Sequence, residues 1–251
     1  MQPIKTIDDV LTALDEIIET SKEKSSPLGY FAALYRKVTQ KVKEGIEAGN
    51  VFQNNPRMEQ LDVVFASRYI DAYHAYQKGE TTTLSWMEAF ELSKKYWPIV
   101  LQHLLIGMNA HINLDLGIAA AEVMKGEKME DLKHDFDKIN EILSSLVIGV
   151  QNDLSEIWPT LTKVLKWTGK FDDLLIDFSM EIARNGAWDF AVTFHNTPES
   201  EQSALIHSRD KSIADIGKLV IRPPWIARMV LGIIRLGERG TVAEKIQDME
   251  D

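Results

Sequence analysis

The sequence predicts an all-α protein: a single irregular multi-helix bundle around a central buried helix. Three observations carry this reading. Apolar residues recur at helical spacing along most of the chain, and start and stop signals punctuate those runs. Valine and threonine fall inside the helical period rather than in alternating, strand-like runs. No stretch reads as a linker and no repeat is apparent, so residues 1–251 are expected to form one helical domain.

Each element has a local reason. Thr6-Ile7-Asp8-Asp9 has the form of a capping box, and Val10, Leu11, Leu14, Ile17 and Ile18 follow on one helical face until Ser25-Ser26-Pro27. A second helix is expected over 28–48, closed by Gly49-Asn50. Asn54-Asn55-Pro56 starts a third, with Pro56 in the first turn, where a missing N–H leaves no helical bond unmade, and the helix runs to Lys78 before Gly79. Ser85 with Glu88 marks a short fourth helix ending near Tyr96. Pro98 opens the central helix, which fades at Gly126. Further helices are expected over 131–158, 159–167 and 171–194, then from Glu199 to about Val220, and after Pro223-Pro224. Thr241 with Glu244 caps a last turn or two in an acidic tail, 241–251, that is expected to fray.

Composition narrows the function. A hydrophobic content of 45% leaves room for a sizeable core. Lys+Arg of 28 against Asp+Glu of 38 gives a net charge of -10, which taken over the whole chain disfavours nucleic acid and anionic membranes as partners but leaves room for a local basic patch. With no cysteine there is no disulfide, thiolate ligand or cysteine nucleophile, which suits a reducing compartment. The N-terminal residues lack the pattern of a secretory signal, so a cytoplasmic protein is expected. There is no glycine-rich phosphate loop after a strand and no serine in a nucleophile elbow.

The stretch 97–122, WPIVLQHLLIGMNAHINLDLGIAAAE, is apolar on every side yet carries two histidines, three amides and an aspartate. It nearly reaches membrane-spanning length, but His103, Asn109, His111, Asn113 and Asp115 would be costly in lipid. Inside a protein such groups need partners, which makes this helix the place to look for a site. His103, Gly107, His111 and Asp115 drift across one broad face. His111 and Asp115 are i,i+4 neighbours, and His103 lies about 12 Å below His111 along the axis. Gln102, Asn109 and Asn113 form a second polar face, suited to bonding the turns of neighbouring helices or to lining a pocket.

On the third helix Asp71 and His74 are an i,i+3 pair, with Ser67 and Arg68 beside them. The stripe Phe65, Tyr69, Tyr73 and Tyr76, which contains Asp62, suits core packing or the aromatic wall of a small-molecule pocket. The expected function is a metal-assisted small-molecule hydrolase. Asp71, His74, His111 and Asp115 are the catalytic candidates, and His74, His103, His111 and Asp115 are the ligands of a divalent zinc, iron or manganese ion. Arg57, Asp62, Arg68, Tyr69, Tyr73, Asn109, Asn113 and Arg184 are expected to line the substrate pocket, with Arg184 as an anion clamp beside Glu181, Trp188 and His195. His134 and His207 read as surface residues. Arg222-Pro223-Pro224-Trp225 reads as a rigid turn with an anchoring indole, suited to packing or to a partner. The alternative is a non-catalytic binding protein for an apolar metabolite or lipid, or a structural protein whose polar core is satisfied internally.

The blocks YFAALYRKVTQKV, NPRMEQLDVVFASRYIDAYHAY and PIVLQHLLIGMNAHINLDLGIAAAE resemble a bacterial family of proteins known only as a domain of unknown function. The resemblance covers roughly 28–191. Its pattern includes Arg57, Asp62, Arg68, Asp71, His74, His103, Asn109, His111, Asn113 and Asp115 at matching positions. It implies a helical protein and carries no activity or cofactor with it.

Overall fold

The bundle is organised around one helix that other helices enclose. In the computed structural model, which describes residues 3–139, 142 and 180–250, all regular structure among the described residues is helical. The order is α1 (Ile7–Glu23), α2 (Leu28–Ala48), α3 (Asn55–Gln77), α4 (Leu84–Leu92), α5 (Val100–Ala110), a single π turn (His111–Asp115) and α6 (Leu116–Val123). After a helical stretch at 130–139 come α7 (Met180–His195), α8 (Glu199–Ile221), α9 (Trp225–Gly237) and α10 (Val242–Glu250). Most of the expected helices over 131–158 and 159–167, and the first part of that over 171–194, lie outside the described residues.

Local chemistry sets the ends. The Thr6 hydroxyl accepts from the Asp9 amide at 3.2 Å while the Asp9 carboxylate accepts from the Thr6 amide at 3.0 Å, the reciprocal box expected. Gly49 and Gly79 close α2 and α3 at φ 76° and 74°, a left-handed backbone that glycine adopts without a Cβ clash. Asn54 caps α3 through the Arg57 amide at 3.1 Å. The fourth helix departs from expectation. Its cap is Thr83, which accepts from the Trp86 amide at 3.4 Å, and it ends at Leu92 rather than near Tyr96. Ser85 is not free to cap, because it is buried inside the helix with its own amide held by Asp210.

α5, the π turn and α6 form one continuous helix of 24 residues, Val100–Val123, long and apolar enough to cross a membrane by length and composition. Here 89% of its most apolar window is buried inside the protein. α2, α4 and α8 pack on its first half, and α3 and α7 on its second. α10 docks against α1 and α2 instead of fraying: Ile246 and Met249 are buried, and Ile246 fills the space that a side chain at Gly29 would occupy.

Two glycines on the central helix mark close approaches. A Cβ at Gly107 would lie 2.6 Å from the Phe31 ring, and one at Gly117 would lie 2.9 Å from the Ala187 carbonyl of α7 and 2.8 Å from Phe190. A ring can shift, whereas a backbone carbonyl moves only with its helix. Gly117→Ala is therefore expected to lower unfolding free energy by about 1–3 kcal/mol. Gly232→Ala, where nothing lies within 4 Å, is expected to leave it unchanged or raise it by up to about 1 kcal/mol. Urea denaturation of the two variants checks this; equal effects would contradict the packing described.

Candidate functional site

The π turn sets the centre. An α-helix gains one residue in such a turn, closed here by the Leu116 amide on the His111 carbonyl, so α6 is rotated relative to α5 by about one residue step. This lets α5 direct Gln102 and Asn109 at α8 while α6 presents Gly117 to α7.

Asp115 stands at the end of the turn with 1% of its surface exposed. Its Oδ1 accepts from Arg68 Nε of α3 at 2.8 Å, and its Oδ2 accepts from Trp86 Nε1 of α4 at 2.7 Å, with His111 Nδ1 at 3.2 Å. Burial alone would raise the Asp115 pKa, but the His111 bond, the Arg68 charge and the Trp86 donor outweigh it and hold the carboxyl below its ordinary range. Burial pushes His111 down, so its imidazole is neutral at neutral pH, with Nδ1–H donating to Asp115.

The His111 ring lies flat on Phe65, with centroids 3.6 Å apart and planes 6° from parallel, and Phe31, Tyr35, Tyr69 and Trp86 surround it. Its Nε2 is buried with no hydrogen-bond partner. Nearby, Asp62 Oδ2 is also buried without a hydrogen-bond partner, and the Tyr35 and Thr39 hydroxyls are buried close to one another. Burial, helped by the charge of Glu59, pushes the Asp62 carboxyl up to about 8, so it is a neutral acid at physiological pH.

The second polar face of the central helix bonds to α8. Gln102 Nε2 donates to the Val220 carbonyl at 2.7 Å and Asn109 Nδ2 to the Ile213 carbonyl at 2.9 Å. Asn113 Nδ2 donates to Asn109 Oδ1 at 3.0 Å, and Arg209 reaches the Asn113 carbonyl inside the π turn at 3.1 Å. At the N-terminal end, Glu238 accepts from the Val100 amide at 2.9 Å and is paired with Lys245 at 2.8 Å and with Arg235. His103 lies there against Tyr30, its pKa lowered to about 3 by burial and by the charges of Arg235 and Lys245.

Residues 7–223 match the model of the family of unknown function DUF5995. The chain belongs to that family. The match is wider than the 28–191 expected and takes in α1 and all of α8, while α9 and α10 lie beyond it. Comparison with curated proteins and with solved structures finds no match.

In this DUF5995 chain the expected metal site is not assembled. Among the described residues no group of three or more His, Asp or Glu side chains is placed to hold a metal ion. The four ligand candidates divide among three environments: His111 with Asp115 in the aromatic box, His103 beside Tyr30, and His74 half-exposed on α3. Burial lowers the His74 pKa, with Lys78 acting in the same direction and Asp71 and Glu16 of α1 opposing it. Polar partners already occupy Asp115, which overturns the zinc, iron or manganese assignment.

The remaining candidates are dispersed. Asp71 is exposed, and Arg57 sits at the start of α3, bonded to the Asp131 carbonyl at 3.0 Å and to Glu127 at 2.6 Å. Tyr69, Tyr73, Asn109 and Arg184 are buried, and Asn113 is half-buried. The side chain of Glu181 is outside the described residues; His207 is exposed, as expected. Sequence reasoning missed Trp86, Asp135, Asp210 and Glu238. Trp86 is one apolar residue of a short helix, and each of the three acids looks like a solvated surface charge.

Asp62 yields a signed pH dependence. The unfolded chain ionises it above 3.8, whereas the folded chain holds its proton to about 8. The folded state thus binds more protons, and this group makes stability fall as pH rises through that window. The stability of Asp62→Asn relative to the native chain is expected to grow by up to about 1.4 kcal/mol per pH unit between pH 5 and pH 8. Denaturant titrations at stepped pH test it, and a pH-independent difference would contradict a neutral Asp62.

Proposed function

We propose that the protein is non-catalytic and works by binding, with the His111–Asp115 centre acting as a framework and contacts to other molecules made at the surface. One observation carries this reading: both oxygens of Asp115 and Nδ1 of His111 are spent on internal bonds within a closed aromatic box. A general base must come within hydrogen-bond reach of the atom it deprotonates. The cavity bordering this box, lined by Phe31, Tyr69, Trp86, His103 and Gly107, has a volume of about 20 Å³. That is room for one water, whereas metabolite sites measure roughly 300–1,000 Å³.

A framework role has measurable consequences. Asp115→Ala leaves the Arg68 charge and the Trp86 donor without their acceptor and is expected to destabilise the fold by about 3–5 kcal/mol. Trp86→Phe removes a single donor and is expected to cost about 1–3 kcal/mol. On ester, phosphoester and amide substrates the native protein should turn over no faster than His111→Gln. Turnover that His111→Gln abolishes, with its thermal melt retained, would overturn the reading.

A further inference from the structure

The outer face of α9 is unlike the rest of the surface. Trp225, Met229, Ile233 and Leu236 follow at i, i+4, i+8 and i+11, which places them on one stripe of the helix. They are 66%, 60%, 60% and 76% exposed, while Ile234 on the opposite face is buried. Exposed apolar side chains also occur on elements that precede α9 in the chain or are bonded to it. Exposed Ile216 and Leu219 lie on the last turns of α8, and exposed Tyr96 and Trp97 connect to α9 through Arg235, whose Nε donates to the Tyr96 carbonyl at 2.9 Å. The Arg235 guanidinium also lies 5.0 Å from the centre of the Tyr96 ring.

The charge around this patch is reversed relative to the whole chain. From Ile216 to Gly237 the sequence holds Lys218, Arg222, Arg228 and Arg235 and no carboxylate, in a protein of net charge -10. Asp215 and Glu238 border the stretch and pair with Lys218 and Arg235, so the basic character rests on Arg222, Arg228 and the nearby Arg239. Arg228 is exposed and falls beside the apolar stripe on the same flank as Arg235; exposed Arg222 and Arg239 stand just before and after the helix. An apolar stripe with tryptophan, flanked by arginine and fringed by tyrosine and a second tryptophan, has the composition of a helix lying in a lipid interface.

We infer that α9, with Tyr96 and Trp97, is a docking surface for an anionic lipid bilayer, lying in the plane of the headgroups. The inference rests on the binding reading above and names its surface and ligand. Charge decides between occupants. A second copy meeting this face with the two α9 helices antiparallel would bring the two arginine flanks together, which like-charge repulsion opposes. An anionic headgroup layer meets the same arginines with opposite charge and takes the four apolar side chains below it. The net charge of -10 does not prevent this, because at physiological salt charges more than roughly 8 Å away are screened. Docking therefore has one orientation, α9 towards the lipid.

The test uses the full chain and co-sedimentation with vesicles of phosphatidylcholine alone or mixed with phosphatidylglycerol. The native protein should partition onto the mixed vesicles and not onto phosphatidylcholine alone, and the binding should weaken as salt rises. Trp225→Ser combined with Ile233→Ser should reduce partitioning by more than about tenfold, and Arg228→Gln by about fivefold. These side chains are exposed, so thermal melts should be unchanged; Leu236→Ser alone replaces the double variant if its melt shifts. Failure of the native protein to bind mixed vesicles, or undiminished binding by the variants, overturns the proposal. So does a native dimer in sedimentation velocity that Trp225→Ser converts to monomer, which would make this face a contact between copies. His111-dependent turnover would overturn the non-catalytic reading while leaving the vesicle result intact.

Discussion

A helix buried on every side still has to satisfy each polar group it carries, and it must do so with atoms from its neighbours. Asp115 is the most demanding case. Taking a carboxylate out of water costs several kcal/mol unless charge and donors replace the water, and here Arg68, Trp86 and His111 replace it. The donors come from α3, from α4 and from the helix itself, so one acid ties three elements. Buried ion pairs rarely outperform apolar packing in stability, but they are intolerant of misplacement. Apolar packing around Asp115 is less directional than these bonds.

The same chemistry recurs at helix starts. The first amides of a helix have no intrahelical partner and carry partial positive charge. Asp135 takes the amides of Gln53 and Asn54 at 2.7 and 3.0 Å just ahead of α3, and Asp210 takes those of Leu84 and Ser85 at 2.7 and 2.9 Å at the start of α4. Glu238 does so at α5. Each acid is remote in sequence from the helix it caps, so each bond satisfies an orphan donor and fixes a long-range packing at once. This explains how these three carboxylates come to be buried in the bundle. The backbone is their counterpart.

The fold class, most helix starts and the burial of the central helix were legible in the sequence, because Thr6, Asn54-Pro56, Gly49 and Gly79 act through neighbours in the chain. The pairing of His111 with Asp115 was legible for the same reason. Its surroundings were not. The π turn leaves no signal in residue spacing, and His103 and His111, two helical turns apart along the central helix, face different neighbours that a helix wheel does not show. Asp135, Asp210 and Glu238 were invisible as structural residues, since a carboxylate that caps a distant helix looks in sequence like any surface acid. The metal site failed on the same ground. Spacing along one helix says which side chains meet on that helix, and nothing of whether His74 on α3 faces it.

The interior and the outer face of α9 connect at Arg235. Its guanidinium holds Glu238, which accepts from the first amide of the central helix, and it also bonds the Tyr96 carbonyl and covers the Tyr96 ring. The buried Lys245 of α10 fixes the same Glu238 from the other side. Thus α9 is not a loose appendage. It is fastened through one carboxylate to the start of the helix about which the bundle is built, with Ile234 seated inward. An apolar stripe held in this way gives up little conformational entropy when it is covered, which is the condition under which a short helix of exposed side chains makes an effective contact. The Glu238 network thus holds that stripe in one geometry relative to the central helix.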